Sequence, residues 1–232
     1  MFNPLELTGR AATHVQLVPA LRCQLHPGVV EPLRELRRQA ARAGIDLYPV
    51  SGFRDFTRQA AIWNAKFRGE RPVLDRAGQP LDALALDAPA RVDALLAWSA
   101  LPGASRHHWG TDFDVIDRTA LPEGYDVQLV PAEYAPGGVF ARLADWLEEN
   151  AGRCGFFRPY ATDRGGVQPE AWHLSYAPLA AVALAALTPA VLAEAIATAE
   201  IEGRDAILAR LDDLHARFVA SIDAPAAQAL PA

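Results

Sequence analysis

One lysine, two cysteines and no apolar run long enough to cross a bilayer narrow the class of this 232-residue chain before any motif is read. Lys66 is the only lysine, so the basic residues are almost all arginine, which reads first as genomic base composition. With 22 basic against 28 acidic residues the formal net charge is −6. That balance carries no electrostatic footprint for DNA or RNA, and no nucleic-acid partner is expected. Cys23 and Cys154 have no CxxC spacing, which excludes a zinc ribbon and a redox pair. A single long-range disulfide stays open, and the plainer reading is two small buried hydrophobes. The longest apolar stretch, Ala177 to Leu187, falls short of the roughly 20 residues a membrane span requires. Met1 to Arg10 has neither a basic n-region nor an apolar h-region, so no signal peptide is read. The expectation is a soluble, cytoplasmic protein, with periplasmic location or release open only by a non-classical route.

What is present suits one globular domain with an appendage: 51% hydrophobic and 22% charged residues. Apolar positions at helical spacing predict helices over Pro27 to Gly44, Thr57 to Phe67, Val92 to Trp98 and Val139 to Asn150. Alternation predicts strands over Ile45 to Val50, Thr111 to Asp117, Phe156 to Tyr160 and Ala171 to Tyr176. Gly69 to Pro89 and Thr119 to Gly138, rich in Gly and Pro, read as long loops. After Pro178 the composition shifts to Ala and Leu, with helices expected over Ala190 to Glu200 and Asp205 to Ser221. We therefore divide the chain into a domain over 1–180, a helical extension over 181–222 and a disordered tail over 223–232. Strands dispersed among helices favour an α+β fold over a doubly wound sheet.

Two short motifs carry the chemistry. Ser105-Arg106-His107-His108-Trp109-Gly110-Thr111-Asp112-Phe113-Asp114 is followed much later by Glu170-Ala171-Trp172-His173. A catalytic zinc takes three protein ligands of the His, Asp, Glu or Cys kind and keeps a further position for water. His107, Asp114 and His173 fill that count, and Glu170 is then free as a base on the water. On a strand Asp112 and Asp114 share one face while Phe113 and Val115 take the other. Pro169 and Trp172 argue for extended chain, so this is not the helical HExxH arrangement. His14, His26, His108 and His215 read as surface or satisfied core histidines.

Four groups occur in order: Ser51-Gly52-Phe53-Arg54 with Gln59; Ser105 to Asp114; Trp146-Leu147, Asn150 and Cys154-Gly155-Phe156; and Glu170 to His173. Together they resemble the VanY-type zinc D-alanyl-D-alanine carboxypeptidases, related to lysostaphin-like and hedgehog-type zinc domains, whose pattern is SGxR, SxHxxGxAxD, then ExWH. The resemblance covers about Pro27 to Pro178. It implies one Zn²⁺ held by His107, Asp114 and His173, with Glu170 as catalytic base. It also implies that Arg54 faces the substrate, against the oxyanion or a terminal carboxylate, and that Ser105 and Gln59 lie near the substrate. The implied fold is a small antiparallel sheet carrying the metal, flanked by helices. Trp109 and Trp172 flank ligands and are expected to wall the site or stack on a sugar.

Asp112 departs from the pattern, which has alanine there. A second carboxylate could contact the metal, orient His107, or bind a substrate amine, and we place it among the substrate-binding residues. The first expectation is a carboxypeptidase of peptidoglycan-derived peptides. A cross-link endopeptidase or lysin would use the same site. A zinc-stabilised binding module without turnover is the alternative of another class, against which Glu170 speaks, since a structural metal needs no free base.

Overall fold

In the computed structural model, which describes residues 2–225, the chain forms ten short helices and eight strands among the described residues. A one-turn helix α1 (Pro4–Leu7) precedes a hairpin of β1 (Gln16–Val18) and β2 (Cys23–Leu25). Then come α2 (Pro27–Arg42), β3 (Leu47–Ser51), α3 (Phe56–Phe67), a small hairpin of β4 (Val73–Leu74) and β5 (Pro80–Leu81), α4 (Ala88–Leu96) and β6 (Asp112–Asp117). The chain continues with α5 (Pro131–Tyr134), α6 (Ala141–Asn150), β7 (Phe156–Phe157), β8 (His173–Tyr176) and four helices, α7 (Ala177–Ala186), α8 (Pro189–Ala197), α9 (Arg204–Leu208) and α10 (Leu211–His215). The fold is α+β, as expected.

The helix starts are written in side chains. Asp55 accepts from the Arg58 amide at 2.7 Å and caps α3, and Asp87 accepts from Ala90 at 2.9 Å and caps α4. Val29, Leu33, Leu36 and Ala40 form the buried stripe of α2, and Gln59, Trp63 and Phe67 that of α3.

The central sheet runs β3-β6-β8-β7, all antiparallel. Pro49 is tolerated because β3 is an edge strand. A register shift between Pro49 and Ser51 brings Ser51 opposite Asp114 and turns the chain into Gly52–Arg54. One face of β6, with Phe113 and Val115, joins Leu33, Leu36, Phe140 and Leu147 in a core beneath α2 and α6. A second core joins Trp63, Phe67, Val92 and Leu95 to Leu187, Leu192, Ile196, Ile207, Leu214 and Phe218. The helices after residue 180 therefore share their packing with α3 and α4.

The helix expected over Asp205 to Ser221 is broken into α9, α10 and a π-helical turn over Ala216–Ala220. Of the tail read as disordered, 226–232 lies outside the described residues, but Asp223 is fixed: its amide donates to Pro159 O at 2.9 Å and its carboxylate accepts from Thr162. Cys23 and Cys154 are free. No single helix among the described residues is long and apolar enough to cross a membrane.

Candidate metal centre

Asp114 and His173 meet because they are register partners across β6 and β8; directly opposed side chains on one face of an antiparallel pair stand about 5 Å apart at Cβ. His107 arrives from a 3₁₀ turn over Arg106–Trp109. Gly110 ends that turn at φ +65, where an added Cβ would lie 2.4 Å from Val15 Cγ1 and 2.9 Å from the His26 amide nitrogen. Gly110→Ala is expected to lose at least about 1–2 kcal/mol from the left-handed backbone alone, which thermal denaturation would register as a lower Tm.

The donor atoms of His107, Asp114 and His173 all lie within 4.8 Å of one another, and all three residues are buried. His107 Nε2 is 3.4 Å from Asp114 Oδ2, and His173 Nδ1 is 3.4 Å from Asp114 Oδ1. Tetrahedral ligands at 2.0–2.1 Å from an ion stand about 3.3 Å apart, so this spacing fits a zinc-sized cation. Asp114 Oδ1 is buried without a hydrogen-bond partner, as a ligand oxygen would be in the free protein.

Hydrogen bonds fix which nitrogen each ring offers. His107 Nδ1 donates to the Gly52 carbonyl at 2.9 Å, leaving Nε2 to face Asp114. His173 Nε2 donates to Asp112 Oδ1 at 3.1 Å, leaving Nδ1 to face Asp114 and Glu170. The residues present therefore fit a divalent metal.

This corrects the expectation for Asp112. It is 0% exposed, behind His173 rather than in the cleft, and its oxygens are taken by Arg106 Nε at 2.7 Å, Thr111 Oγ1 at 2.6 Å and His173. It neither reaches substrate nor orients His107. Asp112→Asn keeps an acceptor oxygen but loses the charge that makes His173 a stronger donor; metal affinity, read by chelator competition, is expected to fall about 10- to 100-fold.

Trp109 is a second correction. It is 0% exposed, and its Nε1 donates to the Leu7 carbonyl at 3.1 Å, so it packs in the α3–α4 core and walls nothing. Trp172 does line the cleft, with Ser105, Gln59 and Arg54. Arg54 donates to Gln59 Oε1 at 2.9 Å, and Gln59 in turn donates to the Ala100 carbonyl at 2.7 Å. Gln59 thus aims the guanidinium. His108, buried and pushed down to about 3 mainly by that burial, donates to the Arg54 carbonyl at 2.6 Å and accepts from Gly103.

Glu170 Oε2 lies 3.4 Å from His173 Nδ1, and its amide is anchored on the Tyr160 carbonyl at 2.8 Å. Burial opposes a charge on His173, but Asp112, Asp114 and Glu170 outweigh it and hold its pKa well above the ordinary value. A metal at Nδ1 takes the place of that proton. Binding at pH 7 is therefore expected to release about one proton from His173 and to weaken as pH falls. Titration calorimetry in two buffers of different ionisation enthalpy reads that proton.

The cleft, about 280 Å³, also holds residues that the motifs did not mark: Lys66, Arg71, Trp98, Ser99 and Tyr160. Tyr160 is pushed up to about 12, chiefly by burial, and stays a neutral phenol. Lys66 had a usable signal. It stands at i+7 from Gln59 on α3, so if Gln59 faces the site Lys66 does as well. The segment over 69–89 supplies Arg71 to the rim.

The model of the VanY family, D-alanyl-D-alanine carboxypeptidase, matches residues 22–179. An uncharacterised protein of Haemophilus influenzae is 36% identical over 121 residues, covering 51% of this chain and 92% of its own. The vancomycin-resistance D,D-pentapeptidase VanY, solved in complex with Zn(II), superposes with a TM-score of 0.52 at 22% identity, over 76% of this chain and 84% of its own. VanYB in complex with D-alanine-D-alanine gives 0.52 at 22%, over 82% and 92%. At that identity the likeness establishes a shared fold.

Proposed function

Because this chain belongs to the VanY family of D-alanyl-D-alanine carboxypeptidases, we propose that it is a zinc-dependent peptidase removing the C-terminal D-alanine from peptidoglycan peptides. The observation that carries the reading is the buried His107–Asp114–His173 donor set with Glu170 beside it and Arg54 along the same cleft. A structural ion would need the first three only.

A bound zinc ion supplies Lewis-acid polarisation of the scissile carbonyl and lowers the pKa of a coordinated water. The protein does the rest. Glu170 accepts the proton of the attacking water and passes it to the leaving amine. Arg54, steadied by Gln59, offers planar paired donors to the oxyanion or to the terminal carboxylate. Asp112 and Gly52 hold the two imidazoles in the tautomers that leave one lone pair each toward Asp114.

Removal of a terminal residue is favoured over cutting within a chain by one feature. Arg54 forms no ion pair with any Asp or Glu among the described residues, which leaves its charge for a carboxylate at a chain end. The test is metal dependence of hydrolysis on a pentapeptide ending in D-Ala-D-Ala. Purified protein is expected to hold about one zinc per chain, to lose activity with chelator, and to regain it with zinc. Hydrolysis that ignores chelators would overturn the proposal.

A further inference from the structure

Four cations line the cleft, and Arg106 alone among them has an ion-paired carboxylate, Asp112. Arg54, Lys66 and Arg71 form no ion pair with Asp or Glu among the described residues. The acids lining the cleft are Asp114 and Glu170. In the reading above, on which this inference rests, those two charges are balanced by the divalent ion. A peptide with a single terminal carboxylate answers Arg54 and leaves Lys66 and Arg71 open.

Lys66 is the sharper case, because it is half-buried while Arg71 is exposed at the rim. Its ammonium donates to Ser99 Oγ at 2.5 Å, a partner without charge. Burial lowers its pKa first, and Arg71 adds to that effect while Glu170 opposes it. Holding an ammonium away from water costs free energy unless an anion completes it. A lysine head has three donors; Ser99 takes one, and no second hydrogen-bond partner of this ammonium is found among the described residues.

The position of the missing anion follows from α3. Lys66 lies about 10 Å along the helix axis from Gln59, the residue that steadies Arg54. Two residues of extended peptide cover about 7 Å, and a side chain of a few bonds covers the remainder. We infer that Lys66, with Ser99 and Arg71, forms a second anion subsite, which takes a side-chain carboxylate on the residue preceding the terminal dipeptide. The substrate class is then peptides with two carboxylates in the cleft, one at the chain end and one on that side chain.

Two N-acetylated peptides X-D-Ala-D-Ala test this, with X either meso-diaminopimelate with its free ω-carboxylate or the same residue as its ω-amide. Zinc-loaded wild-type protein is expected to favour the acid by about 10- to 100-fold in kcat/KM, mostly through KM, as for a hydrogen bond to a charged group. Lys66→Met should bring the two peptides to near parity, chiefly by raising KM for the acid. Lys66→Arg should restore part of the preference. Equal hydrolysis of both peptides by the wild type, or a preference that survives Lys66→Met, overturns the subsite.

If neither peptide is cut, the peptidase reading fails, and calorimetric binding of the same pair to zinc-loaded protein still decides the subsite. Tighter binding of the acid that disappears in Lys66→Met upholds it. Equal binding, or none, overturns it.

Discussion

Glu170→Gln is expected to lower kcat on a D-Ala-D-Ala peptide by about 10²- to 10⁴-fold, the usual contribution of a positioned general base. Zinc content should stay unchanged. The reason is geometric. The Glu170 carboxylate stands 3.4 Å from His173 Nδ1 yet lies outside the His–Asp–His donor set. Its backbone is pinned by the Tyr160 carbonyl, and His173 N donates back to Glu170 O at 3.3 Å, so the side chain is held against the site by a tight turn. Glutamine preserves the shape and removes the basicity. Stopped assays with metal analysis of the same preparation check both halves. Unchanged turnover would remove Glu170 from the chemistry, and lost zinc would make it a ligand.

The second large effect is on stability, and it falls on Arg106. This guanidinium is 3% exposed; it donates to Asp112 at 2.7 Å and to Ser175 Oγ at 2.6 Å, and stacks over Trp109 at 4.8 Å. Arg106→Met leaves Asp112, 0% exposed, without the arginine that is its strongest countercharge, and breaking a buried pair from one side costs about 3–5 kcal/mol. Burial alone would raise the Asp112 carboxyl; Arg106, followed by His173 and Thr111, outweighs it and brings the group down to about 2. A depressed folded value means that this stabilisation is complete above the ordinary aspartate range and is lost as pH falls toward 2. The double change Arg106→Met with Asp112→Ala, which restores the alanine of the family pattern, should recover much of the loss. Denaturant unfolding of the two singles and the double forms the cycle. Additive losses would show that the two side chains are not coupled.

How much of this was legible from residues alone differs by element. The His107–Asp114–His173 donor group was legible because chemistry-bearing side chains cluster by spacing, and alternation on one strand already set Asp112 and Asp114 apart from Phe113 and Val115. The same alternation could not tell Asp112 from Asp114 in role. That difference comes from depth: β8 crosses β6 so that His173 lies opposite Asp114 and turns its other nitrogen toward Asp112. Trp109 was misplaced because a 3₁₀ turn rotates neighbours by about a third of a turn each, which sends it to the α3–α4 core while His107 faces the cleft.

Short elements escaped for a plainer reason. The strands β1 and β2 have three residues each, below any useful period, yet Gln24 O accepts from the Phe53 amide at 2.9 Å and braces the Arg54 loop. The break between α9 and α10 was hidden because Ile207, Leu211, Leu214 and Phe218 keep helical spacing across it. Lys66 was read as base composition, when its place on the Gln59 face of α3 was the stronger clue.

The most direct test of the account is mass spectrometry of products from pentapeptide muropeptides, monomeric and cross-linked, after incubation with zinc-loaded protein, chelated protein and the zinc-loaded Glu170→Gln variant. Loss of one terminal alanine is expected from monomers with the first preparation only. Cleavage confined to cross-linked dimers would contradict the exopeptidase assignment, and no product from either substrate would contradict the enzyme itself.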